Sequence, residues 1–262
     1  MDYKTIKFEQ LGAVARITLN RPDVANAIDM QMGTELLDAA LRCDADPSVR
    51  AVLITGNGRA FCAGGDLRSF ASQGENTPRH LKEVTTYFHA AISRFVRCNK
   101  PVIAGVNGVA AGAGFSLAIA CDMAIAAASA RFTMAYTKAG LTPDGSSTYF
   151  LPRIVGLRRA IELTYTNRVL SAAEAEAWGI VNRVVEDDRF AAETMALATE
   201  LAAGPTLAFG RSKSLLRGGW DESLETQMEN ETQTISASAH TADYREGSAA
   251  FFEKRAPRFM GE

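Results

Sequence analysis

One arrangement occurs twice in this chain and governs what it can fold into. A short apolar run leads through a glycine-rich turn into a helix, at Ala51 to Leu67 and again at Pro101 to Leu117. The runs Ala51 to Thr55 and Val102 to Val106 carry no charge, as strands buried on both faces do. Strands of that kind, alternating with helices, predict an α/β fold. The length of 262 residues suits one compact domain, or one domain with a small appendage.

The rest of the chain fits this alternation. Val14 to Leu19 is compatible with a strand, ended by Asn20-Arg21-Pro22. Met32, Leu36, Leu37, Ala40 and Leu41 recur at helical spacing behind Asp29, a suitable N-cap, and Asp46-Pro47 stops them. Leu81, Val84, Phe88, Ile92, Phe95 and Val96 mark a second amphipathic helix, stopped near Asn99-Lys100-Pro101. Strands are predicted at Met123 to Ala127 and Val181 to Val185, and Ser171 to Glu174 reads as a capping box. Beyond about residue 188 only helical patterns remain, so the expected division is a core of residues 1–200 and a helical region of residues 201–262.

Composition excludes several function classes. With 28 Lys+Arg against 30 Asp+Glu and no block of like charge, nothing draws the chain to nucleic acid or an anionic membrane. Cys43, Cys62, Cys98 and Cys121 have no C-x-x-C spacing, and with His80, His89 and His240 they form no readable metal site. This cysteine usage, with no secretory signal at Met1-Asp2-Tyr3-Lys4, fits a reduced, cytoplasmic setting. The uncharged stretch Pro101 to Cys121 is glycine- and alanine-rich and reads as a buried strand, a turn and a buried helix rather than a membrane span.

The two turns, Ala60-Phe-Cys-Ala-Gly-Gly-Asp-Leu67 and Asn107-Gly-Val-Ala-Ala-Gly-Ala-Gly114, let a ligand approach the backbone. A helix starting just after each offers unpaired N–H groups and the positive end of its dipole. Two such turns on neighbouring strands can aim two donors at one oxygen. Tight strand-to-helix packing needs the same glycines, so both readings stand. Other motifs fail: Phe61 stands where a dinucleotide fingerprint needs its third glycine, and Gly114-Phe-Ser116-Leu-Ala118 lacks the last glycine of a nucleophile elbow. No phosphate-binding G-x-x-x-x-G-K-[ST] occurs.

Taken in order, Arg21-Pro22 with Asn26-Ala27, the two turns, and Trp178-Gly-Ile-Val181 resemble the crotonase, or enoyl-CoA hydratase/isomerase, superfamily over essentially the whole chain. Ala135 to Gly145, Leu151-Pro-Arg153 and Ala242 to Gly247 most resemble its 1,2-epoxyphenylacetyl-CoA isomerases. Pro143-Asp144-Gly145 is similar to the Pro-Glu-Gly step of 3,2-enoyl-CoA isomerases, whose acid is the base. The resemblance implies a crotonase-like spiral of β-β-α turns, a helical C-terminal oligomerisation region, and a homotrimer or homohexamer. For the trimer or hexamer, Leu197, Leu201, Leu224, Met228 and Ile235 supply apolar helical faces.

The same resemblance implies an acyl-CoA thioester substrate, with CoA part of the substrate and neither metal nor redox cofactor. It puts the N–H groups of Ala63 and Ala113 around the thioester oxygen. It lays Phe61, Cys62, Gly64, Gly65, Asp66 and Leu67 along the CoA, and adds Gly112 beside Ala113 and Phe251 and Lys254 towards a neighbouring subunit's CoA. Ser116 and Tyr136 fall where hydratases of the superfamily carry glutamates, so the usual hydration chemistry lacks both its acids. Asp144 remains, either as the base of an isomerisation or as the cap of a helix through Ser146-Ser147. The leading expectation is an acyl-CoA isomerase. A hydratase or thioester hydrolase using Asp144 with Tyr136, and a catalytically silent acyl-CoA-binding subunit, are the alternatives.

Overall fold

Buried apolar runs alternate between two sheets in the computed structural model, which describes residues 2–262. Among the described residues the strands are β1 (Ile6–Leu11), β2 (Val14–Leu19), β3 (Ala51–Gly56), β4 (Ala60–Cys62), β5 (Val102–Val106), β6 (Val109–Ala111), β7 (Met123–Ala127), β8 (Arg131–Thr133), β9 (Leu170–Ser171) and β10 (Arg183–Val185). The helices are α1 (Met30–Ala45), α2 (Leu67–Ala71), α3 (Thr77–Arg97), α4 (Ala113–Ala120), α5 (Ser147–Val155), α6 (Leu157–Thr166), α7 (Ala172–Ala177), α8 (Phe190–Ala202), α9 (Thr206–Gly218), α10 (Leu224–Ser238) and α11 (Ala242–Glu253).

One sheet has the order β1-β2-β3-β5-β7-β10, the other β4-β6-β8-β9. From β2 to β10 the larger sheet is parallel, with β1 as an antiparallel edge. The pairs β3-β4, β5-β6 and β7-β8 each put one strand into each sheet before the chain moves on. The backbone therefore climbs as the expected spiral of β-β-α turns. Each glycine-rich turn holds a three-residue strand, and these strands pair with each other, Ala60 opposite Val109 and Cys62 opposite Ala110. That pairing sets the two turns side by side.

The stretch Pro101 to Cys121 is β5, β6 and α4, and α4 is buried along its whole length. No helix among the described residues is long and apolar enough to cross a membrane. Asp29 caps α1 by accepting the Met32 N–H at 2.8 Å, and Ser171 with Glu174 forms the capping box of α7. The strand expected at Val181 to Val185 starts later, at Arg183. Asn182 exchanges two 2.8 Å bonds with the Ala124 backbone, one of them through its side chain, and so takes the place of a ladder residue.

The C-terminal helices correct one expectation. Leu197 and Leu201 do not serve as open faces: α8 lies on the larger sheet, and both pack with Val14, Leu53 and Ile103. Leu224, Met228 and Ile235 of α10 are exposed. The α9 helix is held by Lys213 and Arg217, which pair with Asp122 at 2.7 and 2.8 Å.

Glu35 of α1 fixes the N-terminal strand. It is buried, and its carboxylate accepts N–H bonds from Lys4, Thr5 and Ile6 and the Thr5 hydroxyl at 2.6 Å. Burial would raise its pKa, but the bonds from Thr5, Lys4 and Gln31 outweigh it and hold the carboxyl below its ordinary value. Its stabilisation is therefore complete above that ordinary value and is lost as pH falls through the lower folded one. Glu35→Gln is expected to destabilise by about 2–4 kcal/mol at neutral pH, since bonds to a charged acceptor are lost and buried donors are left facing an amide. Urea denaturation of both proteins across the acid range checks this, with the gap narrowing as pH falls.

Candidate active site

The turn after β4 is held by the segment before α1. Asn26, fully buried, donates through Nδ2 to the carbonyls of Asn57, Ala60 and Phe61 at 3.0, 2.8 and 3.2 Å, and its Oδ1 accepts the Arg21 N–H at 2.9 Å. Arg21 pairs with Asp66 at 2.9 Å and Asp29 at 3.1 Å. Ile28 then runs beside the turn, donating to the Gly64 carbonyl and accepting from the Asp66 N–H. The residues Arg21, Asn26 and Ile28 thus form a clamp on the glycine turn.

This clamp decides which amides remain. The Ala63 N–H donates to the Ala25 carbonyl at 2.9 Å and is committed, contrary to its expected role at a thioester oxygen. The Gly65 N–H has no protein acceptor among the described residues, and neither has that of Ala113, the first residue of α4. The turns touch: a Cβ on Gly64 would lie 3.5 Å from the Ala113 nitrogen. Gly65 and Ala113 both line a cavity of about 250 Å³, together with Gly64, Leu67, Gly112, Tyr136 and Asp144. Its apolar wall comes from Phe70, Leu81, Val84, Phe88 and Leu141. The apolar stripe that marks α3 as amphipathic supplies part of this wall through Leu81, Val84 and Phe88.

Asp144 does not cap α5. Its main-chain carbonyl, not its carboxylate, accepts the Ser147 N–H and hydroxyl, and Ser146 at the N-cap makes no side-chain cap bond. The carboxylate Oδ1 accepts the Tyr136 hydroxyl at 2.5 Å, and the Tyr136 oxygen lies 2.9 Å from Ser116 Oγ. Burial first, and then the charge of Asp144, push the Tyr136 phenol well above its ordinary pKa, so it stays a donor. Ser116 is buried behind it and reaches the cavity only through Tyr136.

The side chains of other expected site residues lie outside the cavity. Phe61 and Cys62 point into the core, and Asp66 is spent on Arg21 and on capping α2 through the Ser69 N–H. Phe251 and Lys254, at the end of α11, are exposed and line no part of the cavity. One residue beside the site went unassigned in the sequence. His89 accepts the Gly145 N–H through Nε2 at 3.0 Å, and the same nitrogen lies 3.4 Å from Asp144 Oδ2. Its only signal was its place next to Phe88 on α3.

Residues 9–262 match the family described as enoyl-CoA hydratase/isomerase. The 1,2-epoxyphenylacetyl-CoA isomerase of Escherichia coli (strain K12) is 39% identical over 95% of both chains. The 4-chlorobenzoyl coenzyme A dehalogenase-2 of an Arthrobacter species is 38% identical over 95% of this chain and 91% of its own. The crystal structure of an enoyl-CoA hydratase from Bacillus anthracis, 34% identical, superposes with a TM-score of 0.93 and covers 99% of this chain and 100% of that one. Likeness over nearly the whole length, in sequence and in fold alike, means that the chain belongs to the enoyl-CoA hydratase/isomerase family of enzymes.

Proposed function

We propose that this protein isomerises an acyl-CoA thioester through an enolate, moving a double bond or rearranging an epoxyphenylacetyl ring. The observation that carries the reading is a single carboxylate, Asp144, lining the same cavity as two uncommitted backbone amides, Gly65 and Ala113. Removing a proton beside a thioester puts negative charge on its oxygen, and each fixed donor aimed there lowers the barrier by about 2.7–4 kcal/mol. Ala113 adds the positive end of the α4 dipole. Asp144 takes the proton from C2 of a 3-enoyl thioester and returns it to C4, so atoms and electrons balance without a metal or redox partner.

Water addition asks for two proton-transfer groups, and Ser116 with Tyr136, whose phenol burial holds well above its ordinary pKa, supplies no second base. Tyr136 instead holds the base. Tyr136→Phe is expected to lower kcat about tenfold while leaving KM within about twofold, the loss of one hydrogen bond to a charged group. Steady-state kinetics check this. Parental kcat would mean that Asp144 is held without Tyr136.

A panel of 3-enoyl-, 2-enoyl-, 1,2-epoxyphenylacetyl- and 4-chlorobenzoyl-CoA, followed by mass spectrometry and absorbance, tests the function. Isomerisation of the first or third supports it. Hydration of the second alone, or chloride release from the fourth, replaces it, and binding without turnover marks a silent acyl-CoA-binding subunit. A cytoplasmic trimer or hexamer belongs to the same proposal, supported by the exposed apolar face of α10 and by free cysteines. So does a role for Phe251 and Lys254 at a neighbouring subunit's CoA.

A further inference from the structure

We propose that His89 is a positioning residue: its unprotonated Nε2 accepts the Gly145 N–H and so holds the turn carrying Asp144, and protonation turns the same nitrogen onto the base. The inference rests on the reading of Asp144 as the base.

The turn is anchored from two sides. Tyr136 grips the Asp144 carboxylate from one, and His89, from the middle of α3, takes the next backbone N–H from the other. Gly145 is buried, with φ +59°, and an added Cβ would lie 2.8 Å from the Phe88 ring and 2.9 Å from Ser116. This turn is wedged between α3 and α4. A buried N–H needs an acceptor, and His89 Nε2 is the one it has.

A nitrogen that accepts cannot also carry a proton. The Gly145 bond therefore assigns the His89 proton to Nδ1. In that state Nε2 and Asp144 Oδ2, 3.4 Å apart, are two acceptors facing each other, and Oδ2 keeps its lone pairs for substrate. Protonating Nε2 reverses both relations. The imidazolium then donates to Oδ2, ties up the carboxylate as an ion pair, and leaves the Gly145 N–H without its acceptor. Asp144 is the one charged group within ion-pair distance of the ring among the described residues, Tyr136 is the titratable group behind it, and Phe88 flanks the ring on α3. The side chain is about half exposed, 49%, so solvent protons reach it.

The test uses the whole protein with nitrogen-labelled histidine. The His89 ring is expected to show its proton on Nδ1 at neutral pH, with the Gly145 amide resonance following the imidazole as acid is added. In kinetics, His89→Leu removes the acceptor and is expected to lower kcat about five- to tenfold with KM little changed. His89→Gln offers a carboxamide oxygen to the same N–H but cannot ionise. It is expected to recover most of that loss and to hold kcat further into acid than the parent does. A proton on Nε2 at neutral pH, identical acid limbs in the parent and the Gln variant, or parental kcat in the Leu variant would each overturn the proposal. If the parent isomerises no thioester, the functional reading falls, while the tautomer and the Gly145 titration still decide the role of His89.

Discussion

Asp144→Asn is expected to slow isomerisation by about 10²–10⁴-fold, the contribution of one general base, while acyl-CoA binding is nearly unchanged. The substitution keeps the shape of the side chain and an oxygen to accept the Tyr136 hydroxyl, 2.5 Å away in the parent. What it removes is the one lone pair in the cavity wall basic enough to take a proton from C2. The amides of Gly65 and Ala113 are backbone and remain in place, so the thioester still binds. Initial rates and calorimetric titration with a non-reacting acyl-CoA separate these effects. Near-parental turnover in the variant would remove Asp144 from the chemistry, and loss of binding together with rate would make it a structural residue.

A larger effect on folding is expected from Gly114→Ala. The first turn of α4 lies against β4 so closely that a methyl group at residue 114 would sit 2.2 Å from the Cys62 carbonyl oxygen and 2.6 Å from its Cβ. Overpacking a core costs typically about 1–3 kcal/mol, with side chains taking up the strain. Here the obstacle is backbone, held by the pairing of Cys62 with Ala110, so the loss is expected at or above about 3 kcal/mol. With a urea slope of about 1–3 kcal/mol/M, the midpoint should fall by about 1 M or more. Activity should fall further than stability explains, because the same contact sets Ala113 beside Gly64 and Gly65. Gly218→Ala, where an added methyl meets nothing within 4 Å, is the matched control and should change the midpoint little. Equal midpoints for the two variants would contradict the close approach.

What was legible in the sequence follows from the range of each interaction. The buried runs at Ala51 and Val102, the Asp29 cap and the Ser171 capping box are local, and each stands where spacing puts it. The short strands β4 and β6 are not, because three residues show no period and exist only by pairing across the sheet, β4 with β6 and β6 with β8. The choice between Ala63 and Gly65 as donor hangs on the Ala25 carbonyl, 38 residues earlier, which consumes one amide and leaves the other. His89 and Gly145 meet across 56 residues, and nothing in the spacing of α3 foretells it. In the sequence Lys100 shows only as part of a helix stop, yet its buried ammonium donates to the Asp44 carbonyl at 3.1 Å and the Asp46 carbonyl at 2.6 Å, holding the end of α1. Leu197 and Leu201 show a helical period that is the same whether the partner is another chain or, as here, the sheet beneath.

The central claim is that one carboxylate and two backbone amides make this site better at shifting a proton than at adding water. Initial rates of the unaltered protein on 3-enoyl-CoA and 2-enoyl-CoA of equal chain length measure it directly. The first is read by the absorbance of the conjugated product and the second by the mass of the added water. With no second carboxylate among the residues that line the cavity, hydration is expected to run slower than isomerisation by about 10²-fold or more. Hydration as fast as isomerisation, or faster, would contradict the account and show that Tyr136 or a bound water does the work denied to it here.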